Sequence, residues 1–224
     1  MHGNKIADLF YTIGFDNHFS VDRIGRSGGL AVLWRNSINC SLINYSQNFI
    51  NLLIQDSILG NWRLATFYGY SDSRRRRESW DLLRNLSNIS NDTWCIIGDF
   101  TDYLSPEDKC GGPDRPAWLI SGFQHVVTNC NLCDMPLLGY QYTWFKSIGT
   151  ASSKEARLDR ALVTSSSQDL HQNATLQTLV APVSDHTPLL LQLDPIPWHK
   201  PHHSFRFNNS WLVEPDHIQL IKNN

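Results

Sequence analysis

Between Gly28 and Tyr70 the chain alternates short β-rich runs with turn signals: GGLAVLW, CSLINYS, FINLLIQD and, after SILGN, WRLATFYGY. Runs of Val, Ile, Leu and aromatic residues at this length, punctuated by Gly, Asn, Asp and Ser, predict strands joined by tight connections, a meander. A sheet buries its apolar face only against another layer, so the remainder of the chain has to supply that layer.

The next segments supply both helices and strands. In WDLLRNLSNI, Trp80, Leu82, Leu83, Leu86 and Ile89 follow a helical period, with Ser79 as a candidate N-cap. TWCIIGDF returns as a strand. After a loop rich in Gly, Pro and charge, PAWLISGFQHVVTNCNL has Pro116 near its start and Leu119, Ile120, Phe123, Val126 and Val127 at helical spacing. YTWF, ARLDRALVT, LQTLVAPV and TPLLLQL read as a second set of strands. Runs of strands with few intervening helices predict packed sheets covered by helices. Past Leu193 the sequence DPIPWHKPHHSFRFNN is rich in Pro, His and Asn, so residues 1–193 are expected to form one domain and 194–224 a linker. His199, His202 and His203 fit a polar linker better than a metal site.

A chain of 224 residues with 41% hydrophobic and 11% aromatic residues can build one sizeable core. Its formal net charge of -2 gives no global attraction to a polyanion, so a nucleic acid has to be held by a local basic patch. The only dense candidate is Arg74 to Arg77 in SRRRRESW, ahead of a helix and of the wrong sign for its dipole; phosphate contact and a solvated basic face both fit it. The N-terminal residues lack the apolar stretch of a secretory signal, and runs such as PLLLQL are too short to span a bilayer, so no membrane role is expected. Five cysteines, Cys40, Cys95, Cys110, Cys130 and Cys133, suit reduced thiols in cytoplasm or nucleus. Cys130-x-x-Cys133 lacks the second pair that a zinc site needs and reads as two helix-end thiols.

Three strand ends carry carboxylates beside polar partners: Asp99 in IIGDFT, Asp159 in RLDRAL, and Asp185 with His186 in VSDHTPLLL. A single Asp at a strand end is an ordinary turn or cap residue. Three in succession, each with its own flanking residues, point to a site at one edge of the sheets.

With these motifs the sequence resembles the endonuclease/exonuclease/phosphatase family, whose members carry Gly-Asp-Phe-Asn, Leu-Asp and Ser-Asp-His in this order. It is most similar to the endonuclease domain of plant LINE-type (non-LTR) retrotransposons, through GRSGGLAVLW, WRLATFYGY, RRESWDLLRNL, WCIIGDF, EDKCGGPDRP, YQYTW, ARLDRAL and SDHTPLLL. The resemblance extends to about Leu193, and SFRFNNSWLVEPD is similar to the link leading toward a reverse transcriptase, so 194–224 reads as a linker toward a missing C-terminal region. It implies a four-layer α/β sandwich of two packed, mainly antiparallel sheets with outer helices. It also implies Mg²⁺-assisted hydrolysis of a DNA phosphodiester, in which an activated water attacks phosphorus and the metal with a histidine offsets the developing charge.

Carried over by motif, Asp99 takes the place of the aspartate that orients or activates water. Asp185 falls at the acidic, metal-holding position, His186 at the phosphate-contacting histidine, and Asp159 at the aspartate that braces it. Tyr68 of FYGY matches a tyrosine whose hydroxyl reaches the phosphate, or is a core or rim residue. Thr101, Arg74 and Arg75 are candidate substrate contacts. Two departures weaken the inferred activity. Thr101 stands where the family has Asn, offering one hydroxyl in place of a planar carboxamide. KIADLFYTIGFDNHFSVD already resembles the segment after the family's metal-binding glutamate, so the domain is expected to be N-terminally truncated and to lack its first strands. The resemblance therefore implies an endonuclease-like phosphodiesterase with impaired or no activity. An active enzyme using a substitute carboxylate, and a nucleic-acid-binding remnant or non-functional retroelement fragment, stay open beside it.

Overall fold

The structure, a computed structural model, describes residues 12–24, 29–58, 60–180 and 184–193. Strands β1 (Asn17–Val21) and β2 (Leu30–Trp34) pair antiparallel as a two-stranded sheet. β3 (Cys40–Tyr45), β4 (Phe49–Asp56) and β5 (Gly60–Tyr68) form the expected meander. The run GGLAVLW was expected to open that meander; instead β2 turns back on β1 and packs across the sheet. A 3₁₀ turn at Ser73–Arg75 leads into α1 (Arg76–Ser87), and β6 (Trp94–Asp99) returns parallel to β5. There follow β7 (Lys109–Cys110), α2 (Ala117–Asn129), β8 (Leu132–Asp134), β9 (Leu137–Leu138), β10 (Trp144–Lys146), β11 (Lys154–Ala156) and β12 (Asp159–Thr164). A short α3 (Ser165–Leu170) precedes β13 (Thr175–Thr178) and β14 (Leu189–Gln192).

The six-stranded sheet has the order β3-β4-β5-β6-β12-β8, and smaller sheets have the orders β10-β11-β7 and β14-β13-β9. Period-2 alternation sends the side chains of the central strands to two different cores. On one face Phe49, Ala65, Phe67, Trp94, Ile96 and Leu162 meet Trp80, Leu83 and Leu86 of α1 and Phe123, Val126 and Val127 of α2. On the other face Ile50, Leu52, Ile54, Cys95, Ala161 and Val163 meet Leu30 and Val32 of β2, Leu176 of β13, and Leu189 and Leu191 of β14. Each fully buried Leu, Ile or Phe contributes about 1.5–3 kcal/mol, which is why the central strands read as near-continuous apolar runs. The architecture is mixed α/β with several packed sheets and covering helices.

The α1–α2 contact depends on Gly122, where a β-carbon would stand 2.4 Å from Cη2 of Trp80. At the far end of α1, the buried Arg63 guanidinium donates to Leu86 O (2.8 Å), satisfying a terminal helix carbonyl. Ser79 does not cap α1. The helix begins at Arg76, and the Ser79 hydroxyl accepts from the Tyr70 N–H (2.8 Å), tying the helix to the end of β5. Asp72 caps the 3₁₀ turn that precedes it. Cys130 is buried at the end of α2 and Cys133 is exposed in β8.

The described residues belong to a unit assigned to Met1–Asp194. The expected linker 194–224 with its three histidines, and the segment 5–11 used to infer a missing N-terminal region, lie outside the described residues. Among the described residues no helix is long and apolar enough to cross a membrane.

Candidate active site

Asp99, Asp159 and Tyr68 meet because three strands end together. β6 pairs on one side with β12, in register Asp99 to Asp159, and on the other with β5, in register Tyr68 to Asp99. Gly98 makes this junction tight: its φ is 150°, and a β-carbon there would stand 2.0 Å from Phe67 O. Asp185 and His186 arrive from a distant segment that β10 holds in place. Phe145 N–H donates to Asp185 O (2.8 Å), Thr187 N–H to Thr143 O (2.7 Å), and Trp144 bridges to His186. The fully buried Thr143 hydroxyl accepts from Leu158 N–H (3.0 Å) and Asp159 N–H (2.9 Å), so one residue fixes both partners of the pair that follows.

His186 Nδ1 lies 2.8 Å from Asp159 Oδ2. An ionised carboxylate only accepts, so Nδ1 carries the proton and Nε2 is the nitrogen left for a ligand. The hydrogen bond to Asp159, followed by the charges of Asp159, Asp99 and Asp185, raises the His186 pKa against the opposing effect of burial. Asp99 is pushed up to about 6, first by burial and then by repulsion from Asp159. The Tyr68 pKa is raised by burial and by Asp99, which keeps the phenol a donor. Tyr68, Asp99, Asp159, Ser184, His186 and Thr187 share a cleft of about 460 Å³.

Asp185 is brought beside this cleft without lining it, and its Oδ2 accepts from Trp144 Nε1 (3.2 Å). Asp99 Oδ1 accepts from Thr101 N–H (2.7 Å). Each of the three carboxylates therefore already has an oxygen engaged. Among the described residues no three His, Cys, Asp or Glu side chains gather so as to hold a metal ion. As arranged, this donor set does not fit a divalent ion that requires near-octahedral oxygen ligation.

Thr101 is buried and has φ 56°. Its hydroxyl contacts Arg76 Nη1 and the carbonyls of Phe100 (2.7 Å) and Tyr70 (3.1 Å). These contacts face inward, away from the substrate role expected for Thr101. Arg74 pairs with Asp72 (2.7 Å) and Arg75 with Glu78 (2.7 Å), both exposed and outside the carboxylate cleft.

The run SRRRRESW concealed a residue of a different kind. Arg76 is buried within α1, contacting Thr101, Ser71 O (3.3 Å) and, at 3.7 Å, Asp102. Asp102 also takes Arg115 (2.7 Å) and Trp80 Nε1 (2.9 Å). Nothing in four consecutive arginines marks the third as internal, although its position four residues before Trp80 puts both on one helical face.

Residues 2–186 match the Endonuclease/Exonuclease/phosphatase family. The chain belongs to that family. Its fold is similar to the endonuclease domain of TRAS1, a telomere-specific non-LTR retrotransposon, at TM-score 0.60 and 12% identity, covering 79% of this chain and 80% of that one. It is similar to a mannosyl-6-phosphatase from Bacteroides thetaiotaomicron, at TM-score 0.53, 13% identity and coverage of 84% and 80%. It is also similar to a family protein from Leptotrichia buccalis, at TM-score 0.53, 13% identity and coverage of 85% and 78%. No curated protein sequence matches. Enzymes of this family are generally dependent on a divalent metal.

Proposed function

We propose that this domain is a DNA-directed phosphodiester hydrolase of the retrotransposon endonuclease type whose turnover is strongly impaired. The observation that carries the reading is the braced imidazole: Asp159 holds His186 by Nδ1 at the edge where Asp99 and Tyr68 end their strands. In this reading His186, in the imidazolium form that Asp159 favours, donates from Nε2 to a non-bridging phosphate oxygen, Tyr68 offers its hydroxyl to the same phosphate, and Asp99 orients the attacking water. The similarity to a retrotransposon endonuclease domain favours a nucleic acid over the smaller phosphate esters used elsewhere in the family. Impairment follows from the carboxylates. Asp185 is engaged by Trp144, and Thr101 replaces a carboxamide with an inward hydroxyl. Mg²⁺ is the family's expected ion, but Asp185, at the metal-holding position of the motif, is engaged by Trp144 and the donor set as arranged does not fit such an ion, so no step of this reading depends on it.

Supercoiled plasmid nicking tests this. Purified protein with Mg²⁺ is expected to give no more than trace nicking above a metal-free control. Robust metal-dependent nicking that His186→Ala abolishes would restore the reading of a working endonuclease with a substitute ligand.

A further inference from the structure

We propose that the cleft between the starts of α1 and α2 is a binding tract for an unpaired polynucleotide strand, with Trp118 as its base-stacking platform. The cleft, of about 560 Å³, is lined by Arg74, Arg76, Arg77, Arg115 and Trp118 together with Ser73, Pro116 and Leu119, and among the described residues by no carboxylate. On a chain of net charge -2 such a lining is a local departure from the overall balance. It supplies the local basic patch that a polyanion needs.

The arginines divide by function. Arg76 and Arg115 are held by Thr101 and Asp102 and form the cleft's floor. Arg74 is 88% exposed at its side chain and, among the described residues, paired only with the partly exposed Asp72, a weak surface contact that a phosphate can replace. Arg77 is exposed and has no ion-pair partner among the described residues; its guanidinium stands 6.0 Å from the Trp118 ring centre. Trp118 is 55% exposed although it lies in the first turn of a helix whose other aromatic, Phe123, is fully buried. A large exposed indole flanked by a free guanidinium fits a nucleobase face with its phosphate alongside. Only an unpaired base offers that face, so the occupant is a single strand.

The tract also has a direction, and here the inference rests on the proposed phosphodiester site. Arg76 reaches the Thr101 hydroxyl and Arg115 Nη2 reaches Thr101 O (3.2 Å), two residues from Asp99. In this proposal a strand with a phosphate at His186 extends by way of the Asp99–Asp102 loop toward Arg77 and Trp118.

The test uses the full chain with EDTA present, measuring anisotropy of labelled twelve-nucleotide oligothymidylate, oligouridylate and a hairpin DNA duplex. Trp118→Ala is expected to weaken single-strand binding at least about fivefold, the low end of the effect of one lost base stack. Arg77→Ala is expected to lower the slope of log K against log salt by about 0.7, one phosphate contact on a single strand. Matching circular dichroism melts establish that the variants fold. Unchanged single-strand affinity in both variants, no binding by the wild type, or a preference for the duplex that ignores Trp118 would each overturn the tract. Equal response of DNA and RNA strands is expected from stacking, whereas dependence confined to RNA would overturn a sugar-blind platform. The site reading fails separately: a dinucleotide then leaves His186 unperturbed in NMR, whatever the oligonucleotides do.

Discussion

At residue scale, Thr101, two residues past the strand end at Asp99, holds a backbone conformation that its residue type disfavours. The position needs a left-handed backbone, φ 56°, so that the Thr101 N–H can turn back to Asp99. Asn tolerates that conformation, and a β-branched residue resists it at a cost of roughly 1–2 kcal/mol. Thr101→Asn should therefore stabilise the backbone, offset in part by the lost hydroxyl contacts to Arg76, for a net gain of about 0.5–1 kcal/mol in denaturant melts. It should leave plasmid nicking at trace level, since the carboxylate arrangement is untouched. Asp99 supplies a second residue-scale test. Its proton is held to about pH 6 in the folded chain, by burial and then by Asp159 against the opposing effects of His186, the Thr101 N–H and Arg76, and is released near 3.8 in the unfolded one. Stability contributed by the protonated group is therefore full below pH 3.8 and is lost as pH rises through 6. Asp99→Asn is expected to raise unfolding free energy by about 2 kcal/mol at pH 7.5 and to change it little at pH 4. Equal effects at the two pH values would contradict the raised pKa.

At the scale of elements, the site stands on an ion network that no motif announced. The fully buried Arg160 of β12 contacts Asp108 and bonds Asp134 (2.9 Å), while Arg157 bonds Asp134 as well (3.0 Å). Asp108 in turn accepts from Leu104 and Ser105 N–H (2.6 and 3.1 Å), pinning the loop after β6 to the strand that carries Asp159. Removing one member of a buried pair leaves an uncompensated charge, so Arg160→Ala should destabilise by about 3–5 kcal/mol, measured by urea unfolding. The long strands were readable because both faces are buried and their apolar runs are bounded by turn residues. The helices were readable from Trp80, Leu83 and Leu86, and from Phe123, Val126 and Val127, at 3.6-residue spacing. β7 and β9, two residues each, were not, because pairing across tens of residues rather than local composition creates them. Arg160 and Asp108 are 52 residues apart, and a short-range pattern cannot express their contact. Of the site, Asp99, Asp159 and His186 could be named from their motifs. The engagement of Asp185 by Trp144 and the burial of Arg76 depend on tertiary packing and could not.

For the whole molecule, two cores on opposite faces of one sheet fix the edge where β5 and β6 end and β12 begins, the edge that the proposed site occupies. Titration with a thymidine dinucleotide, which carries one phosphodiester, followed by heteronuclear NMR of the His186 imidazole, reads that edge directly. His186 is expected to remain protonated at Nδ1 toward Asp159 throughout, while its Nε2 resonance shifts saturably as the phosphodiester binds. A His186 ring protonated at Nε2 alone, or one that stays unmoved while shifts gather elsewhere on the protein, would contradict a phosphodiester site at this edge.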